Sequence, residues 1–335
     1  MAEQLSSGTA SKKALYDALK GIGFSAKTIK SVLPSWWDDS YAADPLGLTE
    51  LKILLARRLS IDPATIFADD GKVELLPVIR RYKGGRPDLV KTLHSSTLIA
   101  SALCRTVLAS IQREPDLAAF KDPADLRKSI LQTGAKYVGL PELLDFCWNI
   151  GIPVLHVCFP PGQKKFDALA ICEVGRHAIA LCRSEASYSW LAFHLAHEIG
   201  HIALGHLSAE GMIVDEKIDD DALTVTQEVE ANAYAAALLG STDIEPPILN
   251  FRKRLAQLKL IQNLSAAHQV LPGHLVLKAG SRDGNFSCAR SFLNEIEGAG
   301  DARELIRDRA INELRHAGVT EEAEEFITKF SYPRV

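Results

Sequence analysis

The residues best suited to chemistry are the pentapeptide HEIGH, which runs from His197 to His201. On an α-helix, two histidines four residues apart share one face, so both imidazoles can reach a single ion. Neutral imidazole is a good ligand for Zn²⁺, and Glu198, beside the first histidine, can act as a general base on a water molecule. The pentapeptide therefore predicts half of a metal site, which needs a third ligand from elsewhere in the chain.

A downstream helix, predicted over TQEVEANAYAAALLG from Thr226 to Gly240, offers that ligand. Glu230 lies on its alanine-rich face, and the positions four residues away, Thr226 and Tyr234, hold no cation. A carboxylate on such a face needs a strong partner, which a zinc ion would provide, so Glu230 is predicted as the third ligand. Glu228 lies about 200 degrees away around the helix and is interpreted as a solvent-facing or helix-start acid.

Three further side chains are candidates for contacts with the ligands or the substrate. His194 falls on the metal face one turn before His197, where it would either support a ligand or line the cleft as a satisfied histidine. His206 follows Gly205 at the helix end, and either caps carbonyl groups or approaches the substrate. Tyr234, with Tyr188 and His206, is also a candidate hydrogen-bond donor to the reacting carbonyl, and the sequence does not choose among them.

Length and composition are those of an ordinary globular protein. The 335 residues suggest about two domains, with 47% hydrophobic and 24% charged residues. A formal net charge of −4 gives no general reason to expect nucleic-acid binding. The polar N-terminus MAEQLSSGTASKK lacks the apolar core of a secretory signal, and no uncharged run could span a bilayer, so we expect a cytoplasmic protein without membrane contact.

The cysteines contain no CxxC pair, so neither a zinc ribbon nor a redox motif is indicated. Most have apolar neighbours in the sequence and are interpreted as small buried hydrophobes in a reducing compartment. The six are Cys104, Cys147, Cys158, Cys172, Cys182 and Cys288.

Residues 1–87 predict an N-terminal helical domain with a helix-turn-helix outline. Two short helices between Ser11 and Leu33 flank Gly21 and Gly23, and the layout resembles the small helical domains of Cro/C1-type repressors in a degenerate form. Where a recognition helix should lie, the chain has a short turn ending in Asp69 and Asp70. Nucleic-acid contact through residues 11–66 therefore stays open beside a packing or partner-docking role.

A basic segment containing Arg80, Arg81, Lys83 and Arg86 is interpreted as a solvated linker that ends the first domain. Residues 88–250 then show helical patterns, followed by the β-branched strands IPVLHVCF, ALAICEV and HAIALC, with a turn at Gly175 and Arg176. The strand before the HEIGH helix would offer an exposed edge to a peptide.

The rest of the chain is predicted as loop and helix. The acidic segment from Ser208 to Asp221 is interpreted as a solvated loop. Residues 251–335 are mainly helical and are interpreted as a packing or dimerisation appendage, and the second of these alternatives would make the protein a homodimer. The predicted fold class is α+β: a mainly helical chain with a small zincin-like sheet packed on the HExxH helix, flanked by helical N- and C-terminal regions.

The segment FHLAHEIGHIALGH, followed 29 positions after His201 by EANAYAAALL, resembles the ImmA/IrrE family of zinc metallopeptidases. The resemblance covers roughly residues 141–240. It implies that His197, His201 and Glu230 bind zinc and that Glu198 is the catalytic base. Family members cleave a Cro/C1-type repressor or antitoxin, often in a stress response, and usually carry threonine where this chain has His194.

These features predict a zinc-dependent endopeptidase that hydrolyses a protein substrate, plausibly a repressor or antitoxin. The alternative is a DNA-binding transcriptional regulator or antitoxin-like sensor whose zinc domain is not proteolytic. A third interpretation is a substrate-holding protein that binds partners through its C-terminal helices.

Overall fold

The computed structural model describes residues 2–68, 71–77, 79–82, 87–111, 113–160, 163–207, 210–215 and 222–331. Within these ranges the chain is mainly helical and folds around one mixed β-sheet. The predicted α+β class is confirmed.

Four helices form the N-terminal part: α1 (Ala2–Gly21), α2 (Ala26–Val32), α3 (Pro45–Arg58) and α4 (Pro63–Ile66). The hydroxyl of Ser25 caps α2 by accepting from the Thr28 amide. The predicted pair of short helices before Pro34 is present. Helix α4 has only four residues, and Asp69 and Asp70 lie outside the described residues.

The middle of the chain begins with α5 (Pro87–Ser110), α6 (Pro123–Gln132) and α7 (Leu140–Asn149). Proline at the start of each helical segment suits the first turn, where its missing amide proton costs no helical hydrogen bond. Asp122 caps α6 by accepting from the Ala124 and Asp125 amides.

The sheet contains β1 (Ile79–Tyr82), β2 (Val154–His156), β3 (Ala168–Glu173), β4 (Arg176–Leu181) and β5 (Glu210–Asp215), in the order β1-β5-β3-β4-β2. The β3–β4 and β3–β5 pairs are antiparallel, and the two outer pairs are parallel. Two predictions are wrong here: part of the expected linker is the edge strand β1, and part of the expected acidic loop is β5.

The β3–β4 hairpin turns one residue earlier than predicted. Val174 and Gly175 occupy the turn with φ of 51° and 74°, as a type I′ turn requires, and Cys172 consequently lies opposite His177. Because β4 pairs with β3 on one side and with β2 on the other, the strand before the HEIGH helix does not offer the exposed edge that was expected.

The HEIGH motif lies on α8 (Tyr188–Ala203), and the EAN sequence lies on α9 (Ala222–Leu238). The chain continues through α10 (Arg254–His268), α11 (Pro272–Arg282), α12 (Phe286–Glu297), α13 (Ala302–His316) and α14 (Glu321–Ser331). Helix α8 packs against α9, against β3 and β4, and against α11. The C-terminal helices therefore belong to the surroundings of the motif.

The last helix also packs against the N-terminal helices. Phe326 and Phe330 of α14 join a hydrophobic core that includes residues of α1, α2, α3, α5 and one face of the sheet. Arg58, which is almost fully buried, donates to Glu322 at 3.0 Å, and the Ser35 amide donates to Glu325 at 2.7 Å. The two ends of the chain thus share one core.

No helix within the described part of the chain is both long enough and apolar enough to cross a bilayer.

Candidate metal centre

The position of α8 is fixed at its N-terminus by polar contacts. The Ser187 hydroxyl accepts from the Trp190 amide, which caps the helix. The carboxylate of Glu297 accepts from the amides of Tyr188 and Ser189 at 3.0 and 2.9 Å. A negative charge on the exposed amides of a helix N-terminus is favourable, so α12 anchors the start of the helix that carries the motif.

Helices α8 and α9 approach each other closely because small residues lie between them. A Cβ atom added at Gly200 would lie 3.1 Å from Cβ of Tyr234 and 3.2 Å from the carbonyl oxygen of Ala231. The absence of a side chain at Gly200 therefore allows α9 to lie against the motif. This packing turns the inner face of α9, which begins at Glu228, toward the two histidines.

Three side chains converge between the helices. The Nε2 atoms of His197 and His201 lie 3.0 Å apart. Glu228 places Oε2 3.3 Å from His197 Nε2 and Oε1 3.3 Å from His201 Nε2. All three residues are buried, and one ligand atom from each lies within 4.8 Å of the others. This buried His-His-Glu group could hold a metal ion.

The donor set and the spacing fit zinc. Two imidazole nitrogens and a carboxylate are a ligand set that Zn²⁺ accepts at about 2.0–2.2 Å, and a tetrahedral arrangement at that radius separates neighbouring ligand atoms by roughly 3.3 Å. The observed separations of 3.0 and 3.3 Å are close to that value. Three protein ligands would leave a fourth position for water or substrate.

The protonation states also suit a cation. Burial lowers the pKa of His201, and the nearby His197 lowers it further, which outweighs the hydrogen bond to the Glu228 carboxylate and keeps the imidazole neutral at neutral pH. Burial alone would raise the pKa of Glu228, but hydrogen bonds with the two histidines outweigh it and hold that pKa well below its ordinary value. The group therefore presents a carboxylate together with a neutral imidazole lone pair.

The prediction of Glu230 as the third ligand is corrected by this geometry. The side chain of Glu230 is 53% exposed, and its Oε2 accepts from His206 Nε2 at 3.0 Å. Glu228, interpreted from the sequence as solvent-facing, is instead the buried carboxylate between His197 and His201. Its position on α9 makes the difference, because the helix turns the Glu228 face, and not the Glu230 face, toward α8.

Each candidate histidine ligand has a polar contact at its other ring nitrogen. Nδ1 of His197 lies 3.1 Å from Oδ1 of Asn232, and Nδ1 of His201 lies 2.9 Å from Nδ1 of His206. With both Nε2 atoms bound to a metal ion, the Nδ1 atoms would carry the protons and donate outward. His206 would then accept at Nδ1 and donate from Nε2 to Glu230. These contacts fix the orientation of both imidazoles.

Glu198 is fully buried on α8, next to His197 in the chain. Burial raises the pKa of Cys182, the residue directly after β4, and the charge of Glu198 is one of the smaller causes that raise it further. Helix α8 packs on β3 and β4, and Glu198 has no exposed surface. A carboxylate beside a candidate metal ligand is the kind of group that general base chemistry uses.

The other sequence candidates have different roles. His206 contacts a ligand, as described above, and does not cap the helix through its side chain. His194 lines a cavity, with its Nε2 3.5 Å from Arg183 Nη1 and its ring stacked on Trp190. The Tyr234 hydroxyl donates to the Phe120 carbonyl, so it is committed to packing and is not a donor toward substrate.

Sequence reasoning missed Glu228 and Asn232, and one signal could have found both. The buried positions of α9 recur as Glu228, Ala231, Ala235 and Leu238, which is the spacing of one helical stripe. Asn232 follows Glu228 by one turn and lies beside the same stripe. Extending the stripe upstream from the alanines would have included Glu228 and excluded Glu230.

Comparison of the chain with protein-family models, with curated proteins and with solved structures gave no match.

Proposed function

We propose that this protein is a zinc-dependent endopeptidase that hydrolyses a peptide bond in a protein substrate. The observation that carries the proposal is the convergence of His197, His201 and Glu228 on one buried point, with Glu198 enclosed on the same helix. Two histidines four residues apart with an intervening glutamate form the arrangement that metallopeptidases use.

The residues divide into those that hold the ion and those that act on the substrate. His197, His201 and Glu228 would hold zinc, and bound zinc would supply the Lewis acidity that polarises a peptide carbonyl. Glu198 would take the proton from the attacking water and deliver it to the leaving amine. Asn232 and His206 would keep the two imidazoles in the orientation that binding needs.

The class of substrate and the family are also proposals. The resemblance of the α8 and α9 sequences to ImmA/IrrE peptidases supports a Cro/C1-type repressor or antitoxin as the substrate. The same resemblance assigned Glu230 as a ligand, and Glu228 replaces it. We place the protein in the cytoplasm, since six free cysteines suit a reducing compartment.

The test combines metal analysis with a cleavage assay on the full chain. Zinc content is measured by inductively coupled plasma mass spectrometry, and cleavage is followed by mass spectrometry on a mixture of proteome-derived peptides. Glu198→Gln should retain one zinc per chain and lose cleavage by at least about 100-fold, because it removes the proton acceptor. The matched control is Glu50→Gln, on the exposed side of α3, which should behave as wild type. Failure of the zinc-loaded wild type to cleave any peptide, or full activity of Glu198→Gln, would contradict the proposal.

A further inference from the structure

A cavity of about 510 Å³ begins at the candidate metal ligand His197 and extends along α8. Its α8 wall is formed by residues at helical spacing, among them Trp190, Phe193 and His194. The opposite wall comes from α11 and α12, including Leu277 and Phe286, and Ala236 closes one side from α9. The C-terminal helices thus contribute six of the fifteen lining residues.

Aromatic rings dominate the inner surface. Trp190 packs with His194 at a centroid distance of 6.1 Å and with Phe286 at 5.7 Å. Phe193 lies 6.3 Å from His197 and stacks on His274 at 6.0 Å. The ring contacts run without a break from Phe286 through Trp190, His194 and Phe193 to the candidate ligand His197. Such a surface favours a large apolar group over a small or charged one.

The charged side chains around the cavity are engaged with partners in the protein. Arg183 donates to Asp167 at 2.9 Å and lies over the Trp190 ring at 4.5 Å. Arg282 pairs with Asp283 and with Glu245.

Two further polar side chains of the lining also contact groups of the protein. Lys278 donates to the backbone carbonyls of Ser241 and Thr242. His274 is buried and lies 2.8 Å from the Ser241 hydroxyl, and its pKa, lowered by burial to about 4, keeps it neutral at neutral pH. The lining consequently offers apolar contact in preference to a charged partner.

We infer that this cavity binds the bulky apolar side chain of the substrate residue adjacent to the scissile bond, and that α11 and α12 thereby determine which bonds are cleaved. The inference rests on the proposed peptidase function. Because the candidate ligand His197 is part of the lining, a side chain inside the cavity would belong to a residue next to the bond held at the metal. The volume accommodates an aromatic side chain with part of its backbone, within the usual range of ligand pockets.

The first experiment measures binding without catalysis. Zinc-loaded full-length Glu198→Gln protein is titrated with N-acetyl-phenylalaninamide and, separately, with N-acetyl-alaninamide, and dissociation constants are obtained by ligand-observed NMR. The phenylalanine probe should bind at least about tenfold more tightly, since the probes differ by a whole phenyl ring. In the Ala236→Phe background that preference should disappear, because the new ring fills the cavity.

The matched control is Ala233→Phe, which adds the same ring to an exposed position of the same helix outside the cavity. A second pair of variants tests the inference even if Ala236→Phe disturbs the structure of α9. Phe286→Ala removes an aromatic wall from a partly exposed position, and Phe251→Ala removes an exposed phenylalanine that does not line the cavity. Phe286→Ala should raise the dissociation constant of the phenylalanine probe severalfold, whereas Phe251→Ala should leave it unchanged.

The second experiment determines where the wild-type protein cuts a peptide mixture, by mass spectrometry of the products. We expect large apolar residues on one side of the cleaved bonds, and a shift toward small residues in Ala236→Phe. Equal binding of both probes, or no response to Ala236→Phe and Phe286→Ala, would overturn the inference even if peptides are cleaved. Selective binding with no cleavage by any zinc-loaded protein would instead overturn the peptidase function and support the cavity's selectivity for apolar side chains.

Discussion

Two groups of buried histidines make an instructive comparison. His197, His201 and His206 lie between α8 and α9, whereas His156, His177 and His274 lie on β2, β4 and α11. All six side chains are at most 6% exposed. Burial is therefore common to both groups and cannot be what distinguishes a site.

The groups differ in what their ring nitrogens face. His156 contacts the Arg183 carbonyl at 2.9 Å, and His274 contacts the Ser241 hydroxyl at 2.8 Å. The α8–α9 group faces two carboxylates, Glu228 and Glu230, and two of its Nε2 atoms point at each other across 3.0 Å. Converging lone pairs next to a carboxylate are what a cation needs, so this convergence, and not burial, marks the site.

The largest effect should come from Glu228→Ala, which removes the carboxylate that faces both histidines. We expect zinc affinity to fall at least about 100-fold. Loss of a residue that hydrogen-bonds to a metal ligand usually lowers metal affinity by about 10–100-fold, and loss of a ligand itself should lower it further. The measurement is competition with a chromophoric chelator. His177→Asn, which changes a buried histidine of the other group, should keep the zinc stoichiometry of wild type. Equal zinc loss in both variants would remove the distinction between the groups.

A smaller effect is expected for the residues that orient the imidazoles. Asn232→Ala and His206→Ala should each lower zinc affinity by about 10–100-fold while the ligand set stays intact. The same chelator competition gives the affinity, and far-UV circular dichroism checks that the helices persist. Wild-type affinity in both variants would mean that the packing of α8 on α9 alone fixes the ligands.

The second histidine group should instead make the metal-free fold sensitive to acid. Burial lowers the pKa of His156, His177 and His274 from 6.5 to about 4. As pH falls below 6.5 the unfolded chain takes up protons that the folded chain does not, so the free energy of unfolding decreases. Between pH 7.5 and pH 5 each histidine should cost on the order of 2 kcal/mol.

Urea unfolding of chelator-treated protein at the two pH values measures this loss. His177→Phe provides the test, because a group that cannot ionise contributes no proton uptake. The variant should lose about 2 kcal/mol less stability than wild type over the same interval. If the free energy of unfolding changed equally with pH in the two proteins, the pKa of His177 would not be lowered in the folded state.

The helices and the two histidines of the candidate metal centre could be predicted from sequence because their signals are local. The spacing of His197 and His201 on one helical face needs no tertiary information, and Pro87, Pro123 and Gly205 mark helix boundaries. Strands β1 and β5 lacked such a signal. Their sequences are charged or glycine-containing, and their pairing connects distant segments, so only the assembled sheet identifies them.

The choice between Glu228 and Glu230 shows the limit of reasoning from one helix. Both carboxylates lie on α9 close to small residues, and the sequence argument selected the one whose neighbours lacked a cation. What decides is which face of α9 meets α8, and that depends on contacts such as Gly200 against Tyr234. Such contacts lie between two helices, and the stripe of small and apolar residues on α9 is the only trace of them that the sequence of that helix carries.

The smallest effect should come from Glu230→Ala, and it tests the corrected assignment most directly. Glu230 is half exposed and reaches the metal position only through His206 and His201. Removing it should lower zinc affinity by no more than about tenfold, the lower end for outer contacts. Glu230 contacts His206, which contacts His201, so the two substitutions interrupt the same chain of hydrogen bonds. The double variant Glu230→Ala with His206→Ala should therefore lose little more zinc affinity than His206→Ala alone. A zinc loss as large as that of Glu228→Ala would restore Glu230 as the ligand and require α9 to turn relative to α8.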